Sequence, residues 1–418
     1  MRLLKICMVT TFYPPYNFGG DGFFVHRLTN VLARQGHEVH VVHDLDAFAL
    51  LTDHRPIPSL PSHPNVVLHP LSARGIGSLD QLLTHQLGRP LIKRAEIKHV
   101  LEEEGFDVIH FHNVSLLGGP HVLAYGSAIK LCTMHDYWFV CAMHVLWRFD
   151  REICAKRTCL ACTLAGRRPP QLWRYDGSLP RAARHVDAFI TPSRASRDIH
   201  LANGFPAAIR HIPYFMPDAE VESLMDEDPG AYHHASGRPY FLFVGRLEKI
   251  KGLQALLDVF RNYREADLVI AGTGTYMATL RELGRGLPHV HFLGLLDHGQ
   301  LRGLYSQAVA VIVPSVCFES FGWITLEAFV MRAPVIVRNQ GALPEVVGAG
   351  GGLIYGTNDE LVNHMEALRT QPELRRTLGE QGYQSYLDHF AEARHLEKYY
   401  GLIEELETGR LDAQPESR

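Results

Sequence analysis

Short apolar runs recur along this chain, and between them apolar residues return at intervals of three and four. Runs of that length bounded by Gly, Pro or Thr read as buried strands, and the wider spacing as amphipathic helices. Leu4–Thr10 is the first such strand. A loop from Tyr13 to Gly22 follows it, and Phe24, Leu28, Val31 and Leu32 then mark a helix that Gly36 ends. His37–His43, Val66–His69, Asp107–His112, Lys130–His135, Asp187–Pro192 and Arg210–Pro213 continue the strand series. Helices are expected at Arg89–Glu104, basic at its start and acidic at its end, and near residues 115–129. The proline-rich stretch 52–64 reads as loop.

Residues 216–238 are polar and rich in chain breakers, which marks a linker. A second strand series begins beyond it: Tyr240–Val244, Leu268–Ala271, His291–Leu293, Val309–Val313, Pro334–Arg338 and Leu353–Tyr355. From about Asn358 the chain is helical, with apolar residues first at Leu361, Met365 and Leu368 and later at Leu396, Tyr399, Tyr400 and Ile403. Strands that alternate with helices predict parallel, doubly wound sheets. A chain of 418 residues exceeds one ordinary core, so two domains are expected. The division is 1–215, a linker at 216–238, 239–390, and a C-terminal helix and tail at 391–418 that packs back on the first domain. The fold class is α/β: two Rossmann-like doubly wound domains facing a central cleft.

Composition adds few constraints. A hydrophobic content of 46% with 21% charged residues is that of a soluble globular protein. The N-terminal apolar run stops at Thr10 and reads as a strand, not a signal peptide, and no stretch is long and apolar enough to cross a membrane. A cytoplasmic location follows as the expectation. Charge is uneven: residues 1–215 hold 23 Lys and Arg against 17 Asp and Glu, and residues 216–418 hold 18 against 28. A first half at +6 could take an anionic acceptor or rest on the inner face of an anionic membrane.

In doubly wound sheets ligands bind beyond the carboxyl ends of the strands, so the chemistry is sought in those loops. After Val309–Val313 comes Pro314-Ser-Val-Cys-Phe-Glu319-Ser-Phe-Gly322, with a helix opening at Gly322 and carrying Glu327. A helix start attracts an anion such as a phosphate, and a carboxylate beside it can accept hydrogen bonds from sugar hydroxyls. Glu327, further into the helix, could reach a ribose. After Tyr240–Val244 the loop Gly245-Arg-Leu-Glu-Lys-Ile-Lys-Gly252 sets two cations, Arg246 and Lys251, at the mouth. Arg grips phosphate as a fork and Lys as a point charge. Gly272-Thr-Gly274, Gly294 before Leu295, and Gln340–Glu345 close three more strands. Together these loops describe a pocket for a nucleoside diphosphate attached to a sugar. No Asp-x-Asp sits in them to ligate a divalent ion, which fits a reaction that needs no metal.

The second half resembles the donor domain of family 4 glycosyltransferases, retaining enzymes of the GT-B fold. Gly245-Arg246-Leu247…Lys251-Gly252, Leu293-Gly294, Phe318-Glu319-Ser-Phe-Gly322…Leu326-Glu327-Ala328 and Gly341…Leu343-Pro344-Glu345 stand in the family's order and spacing. The resemblance implies that Arg246 and Lys251 neutralise the donor diphosphate. It implies that the Phe321–Gly322 backbone meets the sugar or its phosphate, Glu319 a sugar hydroxyl and Glu327 the ribose. More loosely, Gly19-Gly20-Asp21-Gly22 corresponds to the family's N-terminal glycine loop, and His135 to a histidine that contacts sugar or acceptor. His110 and His112 are the other candidates. Ile212-Pro-Tyr-Phe215 departs from the family, which commonly has Asn-Gly after that proline. The activity implied is transfer of a sugar with retention to a glycan or lipid-linked acceptor. A nucleotide-sugar epimerase or hydrolase, and an inactive nucleotide-sugar binder, are the alternatives; the Glu pair with Gly-Arg…Lys favours transfer.

Seven cysteines in a cytosol-like chain do not imply disulfides. Four of them, Cys141, Cys154, Cys159 and Cys162, fall in an insertion at about 137–180 and could wrap a structural zinc ion, or remain reduced thiols. Within residues 165–184 several Arg mingle with Trp173 and Tyr175, a mixture suited to an acceptor or a membrane surface. No RNA-binding signature appears elsewhere, so nucleic acid is not an expected partner.

Overall fold

The structure is a computed structural model that describes residues 2–17, 19–51, 60–73, 75–226, 234 and 236–412. It divides into two compact units: Met1–Pro192, Arg197–Ile212 and Glu397–Arg418 in the first, Ser193–Ser196 and Pro213–Leu396 in the second. Part of the loop expected at 52–64 (52–59) and part of the linker (227–233 and 235) lie outside the described residues, as do 413–418 of the tail.

The first unit runs β1 (Lys5–Val9), α1 (Gly20–Arg34), β2 (Glu38–Asp44), α2 (Leu45–Leu51), β3 (Val66–Leu71), α3 (Gly77–Leu87) and α4 (Arg94–Glu103). It continues with β4 (Val108–Phe111), β5 (Ile129–Thr133), the short pair β6 (Trp147–Arg148) and β7 (Glu152–Ile153), α5 (Cys159–Ala165) and α6 (Ser178–Ala183). Then come β8 (Ala188–Thr191), α7 (Arg194–Ala202) and β9 (Ile209–His211). Seven strands form one parallel sheet in the order β3-β2-β1-β4-β5-β8-β9. Ile6, Val9, Val41, Val108, Ile109 and Leu131 are wholly buried, as the core of a sheet covered on both faces requires.

The second unit holds α8 (Asp218–Asp226), β10 (Tyr240–Val244), α9 (Leu253–Phe260), β11 (Asp267–Ala271), α10 (Met277–Leu283), β12 (Val290–Gly294) and α11 (His298–Gln307). β13 (Ala310–Val313), α12 (Trp323–Val330), β14 (Val335–Arg338), α13 (Leu343–Val347), β15 (Gly352–Tyr355), α14 (Asn358–Thr370) and α15 (Pro372–His389) follow, and α16 (Glu392–Asp412), which from Glu397 belongs to the first unit, comes last. Its sheet is parallel in the order β12-β11-β10-β13-β14-β15. Phe241, Phe243, Leu257, Phe260, Leu268, Ile270 and Met365 build its main core. Asp297 with Gln300, and Thr357 with Glu360, close reciprocal caps on α11 and α14.

Several expected elements change. The helix expected at 89–104 starts only at Arg94, and the one expected near 115–129 is a single tight turn over Gly119–Ala124. Asp218–Asp226 is helix within the expected linker. Helices α2 and α3 fall where no helix was expected. In α3 the buried residues are Asp80, Gln81 and Thr84, while Leu79 and Leu82 are exposed, which reverses the pattern a sequence reader looks for.

Candidate functional site

Each sheet has one place where the strand order reverses, between β1 and β4 in the first and between β10 and β13 in the second. Loops leaving adjacent strands there part to opposite faces and leave a crevice for a ligand. Both loops that sequence singled out in the second unit, Gly245–Gly252 and Pro314–Gly322, leave that point.

Gly245 (φ +146) and Gly272 (φ +135) hold backbone conformations that other residues rarely adopt. A methyl on Gly272 would lie 1.9 Å from the Gly245 carbonyl oxygen, and one on Gly252 would lie 1.9 Å from that of Pro314. The loops after β10, β11 and β13 therefore touch main chain to main chain. That contact brings Lys251 to Glu319: Lys251 Nζ lies 2.6 Å from Glu319 Oε1, with the side chains 25% and 16% exposed. Ser315 Oγ donates to the same oxygen at 2.6 Å. Burial alone would raise the Glu319 carboxyl, but Lys251, Ser315 and the nearby Arg246 outweigh it and hold the group below its ordinary range. The Lys251 ammonium is raised in turn, because Glu319 outweighs its own burial. Arg246 is exposed, and its guanidinium makes no hydrogen bond or ion pair among the described residues. The result is a preformed ion pair beside an exposed guanidinium.

Gly322 takes the left-handed conformation (φ +95) as N-cap of α12, and the Thr325 hydroxyl and amide both donate to its carbonyl. Phe321 is buried against Tyr214 (5.0 Å between ring centres) and Phe390 (5.6 Å), and Tyr214 also meets Trp323 at 5.4 Å. The segment where this chain departs from its resemblance, Ile212–Phe215, thus braces the Glu319–Trp323 loop with an aromatic ring. Glu327 accepts a hydrogen bond from the buried Tyr305 hydroxyl at 2.7 Å. Leu295 follows β12 and is 81% exposed, while the Gly294 carbonyl accepts from the Gly272 amide at 2.7 Å. Sequence reasoning missed Ser315 and Tyr305, and gave Glu345 no structural role. Glu345 accepts from the Arg194 and Ala195 amides at 2.9 and 2.8 Å, within the second unit.

In the first unit Gly19 is the extended N-cap of α1 and Gly20 its first residue, with open space where a side chain would stand. Asp21 accepts from the Asn113 amide group at 2.9 Å. His135 Nε2 lies 2.9 Å from His112 Nδ1, and the His110 and His112 rings are 4.0 Å apart, so all three candidate histidines share one cluster. Burial pushes His135 down to about 4 against the pull of Asp21 and Asp136, and pushes His112 well down. His135 is therefore a neutral imidazole at pH 7, able to hydrogen-bond but not to supply a positive charge. Buried His43 is likewise pushed down to about 4. These histidines bind protons when the chain unfolds, so stability should fall as pH drops from the ordinary histidine value near 6.5 toward 4. Denaturant midpoints at pH 7.5 and pH 5 read this, and an unchanged midpoint would contradict the burial assigned to His43 and His135.

No three of the Cys141, Cys154, Cys159 and Cys162 sulfurs lie within 4.8 Å of one another, and all four are free thiols. They sit on different segments of the insertion, and burial together with the neighbouring Cys159 and Cys162 pushes the Cys154 thiol up. Cys141 is buried in a turn, Cys154 follows the β6–β7 pair and donates to the Lys156 carbonyl, and Cys162 on α5 accepts from the Phe149 amide. Among the described residues, the ligand atoms that do converge belong to His234, Asp267 and His291. There Asp267 accepts from both histidines and Ser236 while Arg238 lies 3.2 Å from its other oxygen, an arrangement already neutralised and ill suited to a cation.

Two family models match the chain: glycosyltransferase family 4 over residues 18–220 and glycosyl transferases group 1 over residues 225–385. An uncharacterized glycosyltransferase of Methanocaldococcus jannaschii is 26% identical over 95% of this chain and 94% of its own. A glycogen synthase of Mycobacterium tuberculosis is 27% identical over 82% and 80%, and an alpha-monoglucosyldiacylglycerol synthase of Streptococcus pneumoniae 27% over 54% of each. Among solved structures, sucrose-phosphate synthase from Thermosynechococcus elongatus superposes with a TM-score of 0.69 at 20% identity over 97% of this chain and all of that one. Anabaena HepE in complex with UDP-glucose gives 0.65 at 15% identity over 96% and 100%. Two parallel-sheet units, the loops at their switch points and both family models agree: the chain is a GT-B glycosyltransferase of the group 1, family 4 type.

Proposed function

We propose that this glycosyltransferase takes its sugar from a nucleoside diphosphate sugar and passes it, with retention of configuration and without a metal ion, to a hydroxyl of a glycan or glycolipid acceptor. The observation that carries the reading is the Lys251–Glu319 pair beside the exposed Arg246 at the switch point of the second sheet. As the bond between the anomeric carbon and the β-phosphate oxygen breaks, negative charge gathers on the departing diphosphate. Arg246, Lys251 and the start of α12 stabilise that charge. Glu319 holds a sugar hydroxyl and Glu327, oriented by Tyr305, the ribose. The acceptor oxygen bonds to the anomeric carbon on the face the diphosphate leaves, and its proton passes to a departing phosphate oxygen. Neutral His135 hydrogen-bonds the sugar or acceptor. Metal independence is supported by these two cations. It also fits the Asp44-x-Asp46 pair, whose carboxylates are already taken up by Lys93.

Relatives that bear the names of glycogen and glucosyldiacylglycerol synthases support a glycan or lipid acceptor, and the neighbour in complex with UDP-glucose supports a nucleotide-sugar donor. A thermal-shift panel of UDP-, GDP- and ADP-sugars tests the donor, because a ligand that binds the native state raises its melting temperature. One sugar nucleotide should stabilise wild type and fail with Lys251→Ala. No shift from any of them would overturn the donor assignment. The anomeric configuration of the product, read by NMR, tests retention.

A further inference from the structure

In the first unit α2, α3 and the turn at Leu91–Ile92 are tied together from the inside. Buried Lys93 reaches Asp44, Asp46 and Asp80, and the Ile92 amide donates to Asp80. With polar groups facing inward, apolar ones are left outside: Leu50, Leu51, Ile76, Leu79, Leu82, Leu91 and Ile92 are each 39–53% exposed. Scattered exposed leucines need no explanation, but seven on three joined segments form a patch of the kind that marks an interaction surface. Beside it, after α3, a cavity of about 440 Å³ is lined by Arg89, His121, Leu172, Trp173, Asp176 and Arg181. A second cavity of about 320 Å³ shares Arg89 and His121 and adds Leu91 and Arg94. Arg181 is already held by the Gly177 and Asp176 carbonyls and by the Asp176 carboxylate, whereas Arg89 has no hydrogen bond or ion pair among the described residues. Leu172 and Tyr175, 53% and 63% exposed, continue the apolar rim.

We propose that this face docks the protein on an anionic phospholipid bilayer. The leucines of α2 and α3 enter the headgroup boundary, and Arg89 and Arg94, which line one cavity, take a lipid phosphate. A bilayer is the occupant favoured because the face joins an apolar surface to an adjacent excess of positive charge, the pairing that interfacial binding uses. The inference stands apart from the donor chemistry, which uses loops of the other unit.

The test is sedimentation of the full chain with vesicles of phosphatidylcholine alone and of phosphatidylcholine with about 30 mol% phosphatidylglycerol, at about 0.1 M salt. Binding to the anionic vesicles only is expected. The Arg89→Ala, Arg94→Ala double variant should lose about 25-fold in partitioning, from about fivefold per arginine. The Leu79→Asp, Leu82→Asp double variant should lose about tenfold or more. All four positions are exposed, so an unchanged melting temperature accompanies these losses. Equal binding to both vesicle types, no binding, or full binding by either variant overturns the proposal. So does stabilisation by inorganic phosphate without vesicle binding, which would make the pocket a free-phosphate site. A wild-type dimer that the leucine variant splits would make the face an interface between two copies.

Discussion

Replacing Lys251 by methionine is expected to lower kcat by about 10²–10³, because it removes one of the two side-chain cations placed to meet charge on the departing diphosphate. The same change strands Glu319, whose carboxylate then keeps Ser315 as a direct partner and Arg246 as a nearby charge. Breaking a half-buried pair from one side also lowers stability, by up to about 3 kcal/mol. Loss of activity in the single variant therefore has two sources. The Lys251→Met, Glu319→Gln double variant separates them: with no unpaired charge left, its melting temperature should return close to wild type while activity stays low. Recovery of activity along with stability would show that the pair is structural and that the diphosphate is met elsewhere. Full activity in Lys251→Met would remove the donor-site assignment outright.

This pair was legible in the sequence because the loops that carry it follow strands with unambiguous apolar runs, and the rule for doubly wound sheets says where to look. Arg246, Lys251, Glu319 and Gly322 all come from that rule. What the sequence withheld were partners distant along the chain. Nothing near Glu327 announces that Tyr305 will hold it, and nothing near Glu345 that it will meet the Arg194 amide. For the cysteines, spacing is compatible with a metal knuckle but does not determine whether the intervening turns bring the sulfurs together; residues 144–150 hold several non-glycine positions at positive φ, and no three of the four sulfurs lie within 4.8 Å of one another. Helix α3 was invisible because its periodicity has the wrong sign: the polar stripe faces the protein. A hydrophobic-inside rule cannot find a helix whose interior is organised around a buried ion cluster.

That cluster gives the largest stability effect expected in the first unit. Lys93, at 2% exposure, lies 2.7 Å from Asp44, 2.8 Å from Asp46 and 3.4 Å from Asp80, with Asp44 and Asp80 themselves buried. Burial alone would lower the ammonium; Asp44 and Asp46 outweigh it and raise it, so the lysine stays charged in the fold. Burial of Asp44 pushes its carboxyl up even with Lys93 beside it, which shows how little charge this interior tolerates uncompensated. Lys93→Met should therefore cost about 3–5 kcal/mol, since it leaves carboxylates buried without a cation. In a unit of this size that is a drop of about 6–20 °C in melting temperature. Adding Asp44→Asn and Asp80→Asn to Lys93→Met removes the stranded charge and should restore much of the loss. Calorimetry on the single and triple variants reads both effects. If Lys93→Met melts within about 1 °C of wild type, water rather than lysine must already compensate these carboxylates, and the inside-out arrangement of α3 would need another cause.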